Sequence, residues 1–119
     1  MRHRKTKITL DRTASQRQKL LRNLVISLIQ HERLITTAAR AKATRSLTER
    51  YVTQAKPSTL ASRRILLRRL NNAPAVHKLV TVLGPRYRQR QGGYTRLVKL
   101  VSRRGDTAAR MIVEFIPVE

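Results

Sequence analysis

Arginine dominates the side chains of this sequence that could do chemistry. The chain holds 27 lysine and arginine residues against 6 aspartate and glutamate residues, a formal net charge of +21, and 20 of the 27 cations are arginine. The planar guanidinium binds phosphate oxygens through two parallel N–H groups and stacks on bases. Because so unbalanced a charge repels itself unless a polyanion lies close, the composition predicts a nucleic-acid partner.

The segment from Pro85 to Arg96 combines the features expected of an RNA-binding loop. Its arginines alternate with other residues, its tyrosines offer faces on which bases could stack, and its paired glycines allow the backbone to approach closely. The candidate residues are Arg86, Tyr87, Arg88, Arg90, Gly92, Gly93, Tyr94 and Arg96. The alternative is a tight turn whose tyrosines pack on a neighbouring sheet. The glycines do not form a nucleotide-binding phosphate loop, because the lysine and hydroxyl residue that follow such a loop are missing.

The basic residues fall into three groups along the chain. Eight lie within residues 1–22, nine within 40–69 and seven within 84–104. A single run of charge is ordinarily a solvated surface. Three runs with few intervening carboxylates favour binding to a polyanion instead.

No pattern in the sequence indicates catalysis or metal binding. The chain has no cysteine, which excludes thiol nucleophiles and cysteine-based zinc sites. His3, His31 and His77 are widely separated and form no helical pair, and the carboxylates show no pairing. No serine lies in the context of a nucleophile elbow. We therefore predict a binding protein with no cofactor, no metal and no small-molecule substrate.

The first half of the chain predicts two helices separated by a strand. Thr13 and Gln16 match a capping box, and the apolar residues that follow, from Leu20 to Ile29, form one helical stripe. The short β-branched run RLITT predicts a strand. Helix-forming residues then dominate from Ala38 to about Lys56.

Two more helices and a hairpin are predicted in the second half. Pro57 and Ser58 would end the second helix and cap the third, over residues 60–70. Pro74 suits the first turn of a fourth helix, which Gly84 and Pro85 would stop. The runs YTRLVKLVS and ARMIVEFI, joined through RRGD, predict a β-hairpin.

These elements predict an α+β fold in the order α-β-α-α-α-β-β, with about four helices packed on a small three-stranded sheet. Residues 13–119 would form a single globular domain. Residues 1–12 are rich in cations and poor in apolar side chains, so we expect an extended basic arm that orders on its partner.

Several strings of the sequence resemble the bacterial-type large-subunit ribosomal protein seventeen family. They are RHRK, TASQRQKLLRNL, HERLITTAARAK, LGPRYRQRQGGYTRLVKL and RRGD, in order over nearly the whole chain. The resemblance implies a structural, non-catalytic protein that binds the largest ribosomal RNA near the exit of the peptide tunnel. The chain departs from the family in its arm, in the connection KPSTLAS and before the last strand, where it has Ala109 and Arg110.

The same resemblance implies which other residues lie against RNA. They are Arg2, His3, Arg4, Arg17, Arg22 and Lys42, beside the loop that ends at Arg96. Lys5, Arg12, Arg103 and Arg104 complete the predicted RNA-binding set. The expected partners are large-subunit ribosomal RNA and neighbouring ribosomal proteins, with no membrane, in the cytoplasm of a bacterium. An organelle-encoded copy would look the same.

Two other functions fit part of the pattern. An architectural or nucleoid DNA-binding protein would carry similar charge, but no recognition-helix signature or dimerising heptad supports it. A membrane-active cationic helix would fit the amphipathic first helix, but it would leave the strands and the Tyr-Gly-Gly loop without a purpose.

Overall fold

The computed structural model describes residue 3 and residues 8–118 of the chain. Its elements are α1 (Ala14–His31), β1 (Arg33–Thr37), α2 (Ala38–Ala55), α3 (Leu60–Leu70), α4 (Ala73–Lys78), a π-helical segment (Leu79–Leu83), α5 (Gly84–Arg86), β2 (Thr95–Leu100) and β3 (Arg110–Phe115). This order confirms the predicted α+β fold. Within the described residues, no helix has both the length and the apolar character needed to cross a membrane.

Helix α1 begins and ends as its sequence indicates. The Thr13 hydroxyl accepts a hydrogen bond from the Gln16 backbone N–H at 3.4 Å, which satisfies one of the unpaired donors of the first turn. Val25, Leu28 and Ile29 are fully buried along the predicted stripe. The helix closes at Glu32, which has a left-handed backbone (φ 60°) and donates its N–H to the Leu28 carbonyl.

The three strands form an antiparallel sheet with β3 in the centre, in the order β1-β3-β2. The register aligns Leu34, Val113 and Leu97 in one row, and this row packs against the helices. Side chains alternate between the two faces of a strand, so the neighbouring row, which includes Glu114, lies on the other face. The sheet therefore contributes one apolar face to the core.

The connection between α2 and α3 differs from the prediction. Thr59, not Ser58, caps α3, and its hydroxyl accepts a hydrogen bond from the Ser62 backbone N–H at 3.1 Å. Ser58 has φ 55° and donates its N–H to the Ala55 carbonyl. Ser58 therefore belongs to the turn that ends α2.

The prediction that Gly84 and Pro85 stop the fourth helix is wrong. Gly84 is helical (φ −55°), and the chain continues from α4 through the π-helical segment to Arg86. Residues 73–86 thus form one helix, named the bent helix because a π-helical segment bends an α-helix. A Cβ at Gly84 would lie 3.2 Å from the Ala55 carbonyl oxygen and 3.1 Å from the Leu79 carbonyl oxygen. Glycine is therefore needed here for close packing against the end of α2. Pro85 is tolerated because it lies in the first turn of α5, where a backbone N–H is not required.

An aromatic cluster joins the end of the bent helix to the sheet. The ring of Tyr87 lies 5.3 Å from that of Tyr94 and 6.1 Å from that of Phe115, measured between centroids. Both tyrosines are 1% exposed. The Tyr87 hydroxyl donates to the Ile116 carbonyl at 2.6 Å, and the Tyr94 hydroxyl is 3.1 Å from the Thr53 hydroxyl. The interpretation of these rings as open stacking faces is therefore corrected: they are core residues, as in the alternative of a turn packed on the sheet.

Glu32 connects three parts of the fold. Its carboxylate accepts two hydrogen bonds from Arg86, at 2.9 and 3.0 Å, and lies 3.2 Å from the Lys78 ammonium. Its backbone carbonyl accepts from the Phe115 N–H. The Arg86 hydrogen bonds, opposed by partial burial and reinforced by Lys78, lower the pKa of Glu32 to about 2. The residue thus holds the end of α1 against the bent helix and β3.

We expect Tyr87→Phe to destabilise the protein by about 1–2 kcal/mol, because it removes a buried hydrogen bond and leaves the Ile116 carbonyl without that partner. Tyr94→Phe is the matched control. It should cost less, since the Thr53 hydroxyl keeps its hydrogen bond to the Glu49 carbonyl. Urea unfolding measures both. Equal losses, or a larger loss for Tyr94→Phe, would contradict this account of the cluster.

We expect Glu32→Gln to lower stability by about 0.5–1 kcal/mol at neutral pH, a value reduced for solvent screening of a partly exposed group. The pKa of Glu32 lies below its ordinary value of 4.5 in the folded state. Its contribution is therefore complete above pH 4.5 and is lost as the pH falls towards about 2. Urea unfolding of both proteins across this range should show the gap closing. A gap independent of pH would mean that the substitution acts through packing instead of charge.

Candidate nucleic-acid interface

A cleft of about 620 Å³ lies beside the turn that follows α5. Two hydrogen bonds shape this turn, from the Arg88 N–H to the Pro85 carbonyl and from the Arg90 N–H to the Tyr87 carbonyl. Arg88 and Arg90 are exposed and line the cleft together with Pro117. Two exposed guanidiniums at the edge of an open cleft are suited to binding phosphate oxygens.

Residues of the core and its edge contact this turn. The Lys56 ammonium donates to the Arg90 carbonyl and lies 4.6 Å from the centre of the Tyr94 ring, a cation–π contact. The Arg86 guanidinium lies 5.9 Å from the centre of the Tyr87 ring. The core thus contacts this turn at the Arg86 side chain and at the Arg90 backbone. A turn anchored in this way loses little conformational freedom on binding.

The paired glycines serve the turn into β2. Gly92 has φ 86° and Gly93 has φ 62°, a left-handed conformation that glycine adopts without strain. No atom lies within 4 Å of the position that a Cβ would take at either residue. Close packing within the protein therefore does not explain them. Their close approach to an RNA backbone stays a prediction.

Three of the predicted RNA-binding arginines form ion pairs with carboxylates of the protein. Arg86 pairs with Glu32, Arg96 with Glu114 at 2.5 Å and Arg103 with Asp106. The hydrogen bond to Glu32 holds the pKa of Arg86 above its usual range. Over residues 8–118, the ion pairs within 4.0 Å do not include Arg88, Arg90 or Arg104, all of which are exposed. No carboxylate of the described residues therefore balances the charges of these three arginines, which are available to a partner.

The N-terminal candidates are described in part. Arg2, Arg4 and Lys5 lie outside the described residues, whereas His3 is exposed. The Arg12 N–H donates to the Thr9 carbonyl at 3.1 Å, and the two residues between them have positive φ angles. Residues 9–12 therefore form a turn where we expected an extended chain. Arg17, which is half-buried, donates to the Arg12 carbonyl at 3.3 Å.

Two other predicted cations lie on different faces of the helices. Lys42 is exposed on α2 and lines a shallow groove with Arg45 and Leu97. Arg22 lies in a groove between α1, α2 and α3, where its Nε donates to the Arg69 carbonyl at 3.1 Å.

The groove that holds Arg22 also contains residues absent from the predicted set. Tyr51, Arg68 and Arg69 line it. Arg68 and Arg69 belong to α3, whose other arginines are Arg63 and Arg64. The buried residues Ser62, Leu66 and Leu70 define its inner face, and that periodicity could have placed Arg69 on one flank.

A protein-family model matches most of the chain. The model described as Ribosomal protein L17 matches residues 20–116, which extend from the second turn of α1 to the end of the sheet and include the arginine-rich turn. The match covers well over half of the chain. The chain therefore belongs to the ribosomal protein L17 family, whose role is structural, in the large ribosomal subunit.

Proposed function

We propose that this protein binds large-subunit ribosomal RNA near the exit of the peptide tunnel and braces it during assembly and translation. The observation that carries the proposal is the turn after α5, where Arg88 and Arg90 are exposed and form no ion pair with any residue that the structure describes. Two guanidiniums on a turn whose backbone is anchored to the core fit the phosphates of an irregular RNA segment.

The electrostatics of the chain support the proposal. Four carboxylates of the described residues, Glu32, Glu49, Asp106 and Glu114, are held in ion pairs within the protein. The net charge of +21 is the excess that remains after all six carboxylates are counted, so none of it has an internal counter-charge. Binding to RNA would neutralise phosphates that otherwise hold neighbouring RNA segments apart, and counterion release would supply much of the affinity.

We propose that residues 1–12, which hold five of the 27 lysine and arginine residues, order on the RNA, while residues 13–119 form the globular domain. Neighbouring large-subunit proteins would be further partners, in a bacterial cytoplasmic ribosome. Membership of a ribosomal family favours RNA over the DNA alternative.

The double substitution Arg88→Lys and Arg90→Lys tests the turn directly. It keeps the net charge but removes the planar fork that binds two phosphate oxygens at once. We expect affinity for the cognate large-subunit RNA to fall about tenfold, the equivalent of about 1.4 kcal/mol. Filter binding at several salt concentrations is the measurement, with scrambled RNA of equal length as the reference.

The matched control is Arg63→Lys with Arg64→Lys, which also keeps the charge but changes two exposed arginines of α3 outside the predicted RNA-binding set. Its affinity should stay within about twofold of the original protein. If the Arg88 and Arg90 variant binds like the original protein at every salt concentration, the turn does not recognise RNA. Preferential sedimentation with DNA or anionic vesicles over large ribosomal particles would contradict the proposal as a whole.

A further inference from the structure

A second cationic groove lies between α1, α2 and α3, away from the arginine-rich turn. Its volume is about 270 Å³. It is lined by Leu21 and Arg22 of α1, Leu47 and Tyr51 of α2, and Arg68 and Arg69 of α3. Three helices contribute to it, so the groove exists only when the fold is complete.

The charged side chains that line this groove are all cationic. Arg22 donates its Nε to the Arg69 carbonyl at 3.1 Å, which fixes its guanidinium at the end of α3, where Arg68 and Arg69 also lie. This hydrogen bond leaves the two terminal nitrogens of Arg22 available to a ligand. Since no carboxylate lines the groove, the repulsion among these guanidiniums is relieved best by an anion.

The other wall of the groove is apolar and aromatic. Tyr51 is half-buried, and its ring packs against the core beside Leu47. Burial raises the pKa of Tyr51, against the opposing charges of Arg69, Arg22 and Arg50. Its hydroxyl therefore stays protonated at neutral pH. In contrast to the hydroxyls of Tyr87 and Tyr94, which are bonded within the core, the hydroxyl of Tyr51 makes no hydrogen bond to any residue that the structure describes.

We propose that this groove binds one unstacked nucleotide of the RNA, its phosphate on Arg22, Arg68 and Arg69 and its base against Tyr51. This inference rests on the proposed function, because it takes RNA as the partner. Clustered guanidiniums bind a phosphate group well, and an aromatic ring beside them offers a surface on which a base stacks. An acidic peptide would use the cations but would gain nothing from the aromatic ring. The combination therefore favours a nucleotide.

The ring of Tyr51 is the first element to test. Tyr51→Leu keeps an apolar side chain but removes the stacking surface, so affinity for the cognate large-subunit RNA should fall by about 5- to 100-fold. The loss should be similar at low and high salt, since no charge is removed. Tyr51→Phe keeps the ring and should bind within about threefold of the original protein. Circular dichroism shows whether each variant retains its helices.

The cations of the groove are tested by a pair of variants on α3. Arg69→Gln removes a groove cation from an exposed position, and the log–log salt slope of binding should become shallower by about 0.7–0.9. Arg63→Gln is the control, because Arg63 is equally an exposed arginine of α3 but lines a separate cleft with Leu67 and His77. It should leave the slope unchanged.

The proposal is overturned if Tyr51→Leu binds as tightly as Tyr51→Phe, or if Arg69→Gln and Arg63→Gln shift the slope equally. In either case the groove is not a nucleotide site, and an acidic segment of a neighbouring protein becomes its better occupant. The groove proposal alone is wrong if it is overturned in this way while the original protein binds the RNA and the Arg88 and Arg90 variant binds it more weakly. If the original protein does not bind the RNA, both proposals fail.

Discussion

Repulsion among 27 cationic side chains is the constraint under which this chain folds, with 6 acidic residues to oppose it. Three of the five described carboxylates lie where elements meet. Glu32 joins α1 to the bent helix through Arg86 and Lys78. Glu49 of α2 accepts hydrogen bonds from the Thr95 N–H and hydroxyl of β2, and Glu114 lies between Arg33 and Arg96 across the sheet. Acidic groups placed at these joints stabilise the fold and leave the remaining surface cationic.

The same arrangement connects the core to the surface that we propose for RNA. Tyr87 and Tyr94 are buried between the bent helix and the sheet, and Lys56 holds the Arg90 carbonyl above them. The turn that carries Arg88 and Arg90 is consequently an extension of the core. A rigid turn suits recognition of an RNA shape, because less entropy is lost when it binds than when a free loop does.

Local signals in the sequence were enough to predict most of the fold. The Thr13 cap, the strand RLITT and the final hairpin depend on residues close in sequence, and all of them are present in the structure. Gly84 and Pro85 were misread because a glycine followed by a proline is also the usual end of a helix. What decides their role is the Ala55 carbonyl, which lies far away in sequence and close in space.

The candidate sites were less predictable for the same reason. A tyrosine beside an arginine is typical both of a stacking surface and of a core residue with a satisfied hydroxyl, and the partners that decide between them, Ile116 and Thr53, lie elsewhere in the chain. The groove around Tyr51 requires three helices to converge, and no local pattern predicts that convergence.

The central claim is that RNA supplies the counter-charge that this protein lacks, through several simultaneous phosphate contacts. The salt dependence of its affinity for large-subunit RNA tests this most directly. If Arg88 and Arg90 of the turn each bind a phosphate and the three groove arginines together bind a third, the log–log slope should be at least as steep as about −2.1 to −2.7, at about 0.7–0.9 per phosphate. Affinity for the cognate RNA should also exceed that for scrambled RNA of equal length at every salt concentration. A slope near −1, or equal affinity for both RNAs, would contradict the account.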